Sequence, residues 1–139
     1  MRRPVRNKGG VYEATTRGLL VRVRPEYRPD QSAPEERRWV WAYQIEVENH
    51  GDVTVQLLSR RWVITDAAGK VDTVEGPGVV GEQPTLKPGE AFRYVSGCPL
   101  AAPSGVMVGS YEMQAEGETF WIDVPAFSLD LPGERRTVN

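Results

Sequence analysis

Apolar and polar side chains alternate with a period of two along most of the chain. From Trp39 to Glu48, Trp39, Trp41, Tyr43, Ile45 and Val47 share one parity, and Val40, Ala42, Gln44, Glu46 and Glu48 share the other. Successive side chains of a strand point to opposite faces, so five large residues fall on one face. Asn49-His50-Gly51-Asp52 follows as a turn, since Asn and Gly tolerate positive φ. Val53, Val55 and Leu57 resume the alternation, but Trp62 and Ile64 sit on the opposite parity. The switch across Ser59-Arg60-Arg61 predicts a β-bulge or a bend between sheets. Val21 and Val23 predict an earlier strand, and Lys70 to Val74 another after the turn Asp66-Ala67-Ala68-Gly69. Phe92, Tyr94, Ser96 and Cys98 alternate, as do Met107, Gly109, Tyr111 and Met113. Ala115-Glu116-Gly117-Glu118 then turns the chain into Thr119 to Val124, and Phe127 with Leu129 reads as a last short edge segment.

Prolines interrupt every stretch long enough for a helix. Many short strands with regular turn signals predict an all-β fold, an antiparallel sandwich of seven or more strands. The Leu86-Lys87-Pro88-Gly89-Glu90 corner resembles the turn before the sixth strand of fibronectin type III domains. Phe92 stands where those domains often carry Tyr, so that side chain lacks the hydroxyl for a tyrosine corner.

The 139 residues suit one domain. Residues 1–10 carry four positive charges and one branched apolar side chain, and read as a disordered basic segment. The sandwich is expected over 11–132, with a flexible tail at 133–139. A net charge of -2 excludes a generally basic surface that coats nucleic acid. The single Cys98 excludes an internal disulfide or a multi-cysteine zinc site, and the single His50 excludes sites of several histidines. No apolar run approaches the ~18 residues of a membrane helix, and no apolar stretch follows Arg2 and Arg3 as an export signal would require. A cytoplasmic location without membrane contact is expected.

Gly76-Pro77-Gly78-Val79-Val80-Gly81 matches G-x-G-x-x-G. In a dinucleotide-binding unit those glycines precede a helix whose N-terminus faces pyrophosphate. Pro84 and Pro88 exclude a helix here. The segment is instead expected to be a surface loop shaped by positive-φ glycines, with exposed backbone N–H groups able to hold an anion or a partner. Arg60 and Arg61 are its candidate charged companions, since Arg forks grip phosphate or carboxylate; Arg22 and Arg24 would extend such a patch. His50 lies between Glu48 and Asp52, where it would hold an ion or act as a base, or simply stand solvated in a turn. Cys98 reads as a small buried hydrophobe. Ser59 and Ser128 lack a nucleophile elbow. Glu46 and Glu48 share a face that is expected to be wet. Trp39, Trp41 and Trp62 are core candidates, or binding anchors if exposed.

Longer stretches resemble one family. Tyr12-Glu13-Ala14-Thr15-Thr16-Arg17-Gly18, Val55-Gln56-Leu57-Leu58-Ser59-Arg60, Ile64-Thr65-Asp66-Ala67, Gly76 to Pro84, Ser96-Gly97-Cys98-Pro99-Leu100 and Pro125 to Asp130 are similar to the bacterial ApaG family, in order, from Tyr12 to Pro132. Arg61 departs from it, standing before Trp62 where the family commonly has His. The resemblance implies an immunoglobulin-like or fibronectin type III β-sandwich and a link to cobalt and magnesium tolerance, with no established enzymatic activity. It also implies a partner-binding role, because the same domain occurs within eukaryotic F-box and polymerase-interacting proteins. The expectation is therefore a non-enzymatic protein-interaction module with no cofactor and no resident metal. Its candidate residues are Gly76, Pro77, Gly78, Val79, Val80, Gly81, Arg60 and Arg61. Its partner is an unnamed protein, with a homodimer one form. The alternative is a small-ligand site or enzyme for a pyrophosphate-containing or other anionic ligand at the same loop.

Overall fold

A computed structural model describes residues 10–133. Apart from Gly10 and Gly133, the basic segment 1–10 and the tail 133–139 therefore lie outside the described residues. The strands are β1 (Tyr12–Thr16), β2 (Leu19–Tyr27), β3 (Trp39–Asn49), β4 (Val55–Asp66), β5 (Val71–Pro77), β6 (Thr85–Leu86), β7 (Ala91–Leu100), β8 (Gly105–Ala115) and β9 (Glu118–Leu129). One sheet runs β1-β2-β3-β7. The other runs β5-β4-β8-β9, with β6 also on β4. All pairings are antiparallel. The chain is an all-β sandwich, and among the described residues only the 3-10 turns Pro29–Gln31 and Pro34–Glu36 are helical.

The alternation from Trp39 becomes β3, which buries Trp41, Tyr43, Ile45 and Val47. The parity switch in β4 is a bulge: the register against β8 slips between Leu57 and Ser59. One extra residue exchanges the two faces. Val55 and Leu57 enter the core before it, and Trp62 after it. A second slip, between Met107 and Gly109, keeps β8 paired with β9 to the end. Phe127 and Leu129 are thus the end of one continuous β9, not a separate edge segment.

Trp62 is the hub between the sheets. Its ring lies 5.7 Å from Tyr43, 5.9 Å from Phe127 and 6.4 Å from Tyr111, all at steep angles. Edge-to-face contacts of this kind add about 0.5–1.5 kcal/mol each to area burial. Gly109 makes the hub fit: it pairs with Trp62, and a Cβ there would stand 2.4 Å from the indole.

The turn after β3 works differently from its sequence reading. Neither Asn49 nor Gly51 has positive φ. Asn49 is buried, donates from Nδ2 to Val53 O and Leu86 O at 2.8 and 3.0 Å, and accepts from Gly51 N at 2.9 Å. One amide side chain thereby ties the turn to β6.

The two long sides of the sandwich differ. On one, β9 packs across β1 and β2. There Ser128 N–H donates to the Tyr12 hydroxyl at 3.3 Å, and Trp41 Nε1–H to Asp130 O at 2.8 Å. On the other, the edge strands β5 and β7 flank an opening.

Candidate functional site

That opening is a cleft of about 550 Å³. Period-two geometry decides what faces it. Across β4 and β5, Arg60 pairs with Gly76, Trp62 with Val74 and Ile64 with Asp72, and these pairs point inward. Tyr94, Ser96 and Cys98 enter from β7, while Tyr43 and Met107 complete an aromatic and apolar floor.

Val79, Val80 and Gly81 cover one end. Val79 and Glu82 exchange backbone hydrogen bonds at 2.8 and 2.9 Å. Between them Val80 and Gly81 have φ of 44° and 81°, the signature of a two-residue turn with both central φ positive. Gly78 is required, because at φ +63° an added Cβ would come within 2.3 Å of Glu82 O. The sequence expectation of a surface loop from Gly76 to Gly81 needs correction. Gly76 and Pro77 are the end of β5, Gly78 is buried, and Val79 is 0% exposed because its side chain enters the core. Only Val80, 54% exposed, and Gly81 form the exposed tip.

The two candidate arginines do not act together. The Arg60 guanidinium lies across Gly76, with Nη1 3.0 Å from where a Cβ would be, and donates to Pro77 O at 3.1 Å and Gly78 O at 3.0 Å. It staples the strand end to the turn. Arg61, one residue on, points to the outer face and sits 3.3 Å from Glu75, with both groups well exposed. Such a pair contributes little. Arg22 and Arg24 do not extend the patch either. They lie on the other sheet, where Arg22 meets Glu13, Glu46 and Glu48 at 2.7, 3.0 and 2.5 Å. Those three carboxylates hold the Arg22 charge, with Glu13 first.

Arg60 and Asp72 are the charged groups of the cleft, and its thiol and phenols are neutral. Burial pushes the Cys98 thiol up to about 11, helped by the Asp72 carboxylate. Burial also raises Tyr43, Tyr94 and Tyr111, with Arg60 acting in the opposite sense on all three. The Tyr94 and Tyr111 hydroxyls satisfy each other in the interior. A buried neutral thiol is a poor nucleophile. The other candidates lie elsewhere. His50 is an exposed turn residue with Nε2 2.7 Å from Glu48, and it holds that carboxyl below its ordinary range ahead of Arg22. Ser59 Oγ donates to Glu112 at 3.0 Å. Glu46 is also met by Arg93 at 2.5 Å, so Glu46 and Glu48 belong to a charge ladder on the outer sheet face, where the two side chains are only 14% and 22% exposed rather than fully wet. Among the described residues no three His, Cys, Asp or Glu side chains converge on a metal position.

Trp41 and Trp62 are core residues, and Trp39 packs partly against them. The exposed indole is Trp121, at 50%, which the alternation left unremarked. Tyr94, Asp72 and Val74 were also missed as lining residues. Their signal was present in the parity of β5 and β7, but only the pairing of β5 with β4 turns it into a shared wall.

The family model described as the ApaG domain matches residues 29–115. The ApaG protein of Mesorhizobium japonicum is 61% identical over 130 residues, spanning 93% of this chain and 100% of that protein. That of Caulobacter vibrioides is 53% identical over 140 residues, covering both in full. The crystal structure of the Bordetella pertussis ApaA protein superposes with a TM-score of 0.81 at 44% identity, covering 84% of this chain and 95% of that one.

Proposed function

The chain belongs to the ApaG family, and we propose that it serves as a non-enzymatic protein-interaction module whose contact surface is the cleft between β5 and β7. The observation that carries this reading is the cleft's make-up: an aromatic and apolar floor, neutral hydroxyls and thiol, Arg60 and Asp72 at the β4–β5 side, and two strand edges as walls. Such a lining favours burial of a partner's apolar side chains and offers backbone groups for main-chain bonds. An anion site built from Arg60 and Arg61 together lacks support, because the two point to opposite faces.

The family link to cobalt and magnesium handling enters the same proposal as a cytoplasmic role exercised through a partner. No ligand cluster among the described residues speaks for a directly held ion. No helix among them is long and apolar enough to cross a membrane.

The test is capture from bacterial lysate with quantitative mass spectrometry, comparing the native chain with Val80→Asp and Ser96→Arg. Both side chains line the cleft, and neither is fully buried. Proteins enriched by the native chain should be lost with both variants while the melting temperature stays within a few degrees. Undiminished capture by the folded variants would refute the cleft as the surface.

A further inference from the structure

Among the described residues one edge of β5 is unpaired, and it is built to pair with itself. Gly78 N–H bonds Leu58 O, and Asp66 N–H bonds Lys70 O. Antiparallel ladders alternate, so even-numbered residues of β5 turn their backbone groups toward β4. Val71, Thr73 and Glu75 therefore present N–H and C=O outward. Other edges are guarded: β1 has only five residues, β7 carries Arg93 and Pro99, and β9 carries Pro125. β5 carries proline only at its last position, and leaves Val71 and Val74 58% and 38% exposed.

We propose that two copies of this chain associate through antiparallel β5–β5 pairing about a two-fold axis at Val74. In that register Thr73 faces Glu75 of the second copy and exchanges both backbone bonds with it. Val71 donates to the other copy's Pro77 carbonyl, a pairing in which proline's missing N–H is not needed. Val74 meets Val74 at the axis, the close non-hydrogen-bonded position. Asp72 stands opposite Gly76 of the other copy. Gly76 has no side chain, and the Arg60 guanidinium lies over it. Each Asp72 is thereby brought beside the other copy's Arg60, twice by symmetry. An inward-pointing carboxylate on an edge normally deters strand addition; here the same chain supplies the cation that accepts it. No like charges stand directly opposite each other across the pair; the two Glu75 side chains are diagonal neighbours on the outer face, each with its own Arg61 beside it. The two-fold axis is perpendicular to the sheet, so both β7 strands stay on one side and the two clefts open onto one trough. The association takes up the β5 edge and leaves the cleft floor and the β7 edge for the partner proposed above.

A seven-residue strand pair is small against the ~1,600 Å² of a standard interface, so the dimer fraction should climb with concentration. Sedimentation equilibrium from about 10 μM to about 1 mM, where weak interfaces titrate, should show the mass rising from one chain toward two. Over that range the amides of Val71, Thr73 and Glu75 should gain protection from hydrogen exchange. Thr73→Pro removes an outward N–H without touching a β4 bond and should abolish the rise. Asp72→Lys sets two cations against each other and should weaken association at least tenfold, which keeps the test decisive if the proline variant misfolds. Val95→Lys, on β7, should leave it intact. A mass of one chain at about 1 mM would overturn the proposal. So would association undiminished in both β5 variants, or association abolished by Val95→Lys.

Discussion

Val79 and Val80 are chemically identical neighbours, yet the structure predicts stability changes of opposite sign on replacing them. Val79 is fully buried against the core. Val79→Ala removes two methyl groups from it, about 1.6 kcal/mol of transfer free energy at ~0.8 kcal/mol per carbon, and the residual cavity brings the loss to roughly 2–3 kcal/mol. For a domain of this size that lowers Tm by roughly 6–15 °C. Val80 is the first central residue of the turn, at φ 44°, and is more than half exposed. The left-handed region costs a β-branched residue about 1–2 kcal/mol, and Asn tolerates it far better. Val80→Asn should therefore raise stability by roughly 0.5–1 kcal/mol, since little packing is lost. Urea unfolding followed by tryptophan fluorescence gives both values, and Trp62 in the cleft wall reports the transition directly. A neutral Val79→Ala, or a Val80→Asn that destabilises by more than about 1 kcal/mol, would show that the placement of the turn is wrong.

Two further predictions rest on the core. Gly109→Ala should destabilise by about 3 kcal/mol or prevent folding, read by the same melts, because its Cβ would overlap the Trp62 ring and displace the hub. Stability should also fall on the alkaline side: Cys98, Tyr43, Tyr94 and Tyr111 all have folded-state values raised by burial. Their contribution is intact below the ordinary thiol and phenol range and is lost as pH rises through it, from about pH 9 upward. With its value raised to about 11, Cys98 has a smaller thiolate fraction at neutral pH, only partly offset by its greater nucleophilicity, and should react with a disulfide reagent at least about tenfold more slowly than an ordinary thiol. A fast-reacting Cys98 in the folded chain would contradict its burial.

The sandwich was legible because period-two alternation reports directly on which side chains face inward, and β3 carries it without interruption. The bulge in β4 was legible for the same reason, as a break in parity. The turn at Asn49 was not: composition suggests a backbone solution, whereas a buried side chain supplies it through contacts with Leu86, far along the chain. The site was half legible. Glycine and proline marked an unusual backbone path from Gly76, but not that Val79 turns into the core. Nor did adjacency in sequence warn that Arg60 and Arg61 face opposite ways, although strand geometry demands it once β4 is placed. The cleft itself depends on the distance between two edge strands from different sheets, a long-range quantity that no local pattern encodes.

The contact between Ser128 N–H and the Tyr12 hydroxyl places the start of the first strand against the end of the last. Entry and exit of the fold therefore share the closed flank, opposite the opening between β5 and β7. A fold wired this way is portable. It can be spliced into a longer polypeptide, tagged at either end, or circularly permuted by joining those ends and cutting at the Glu116–Gly117 turn, without new chain crossing the open flank.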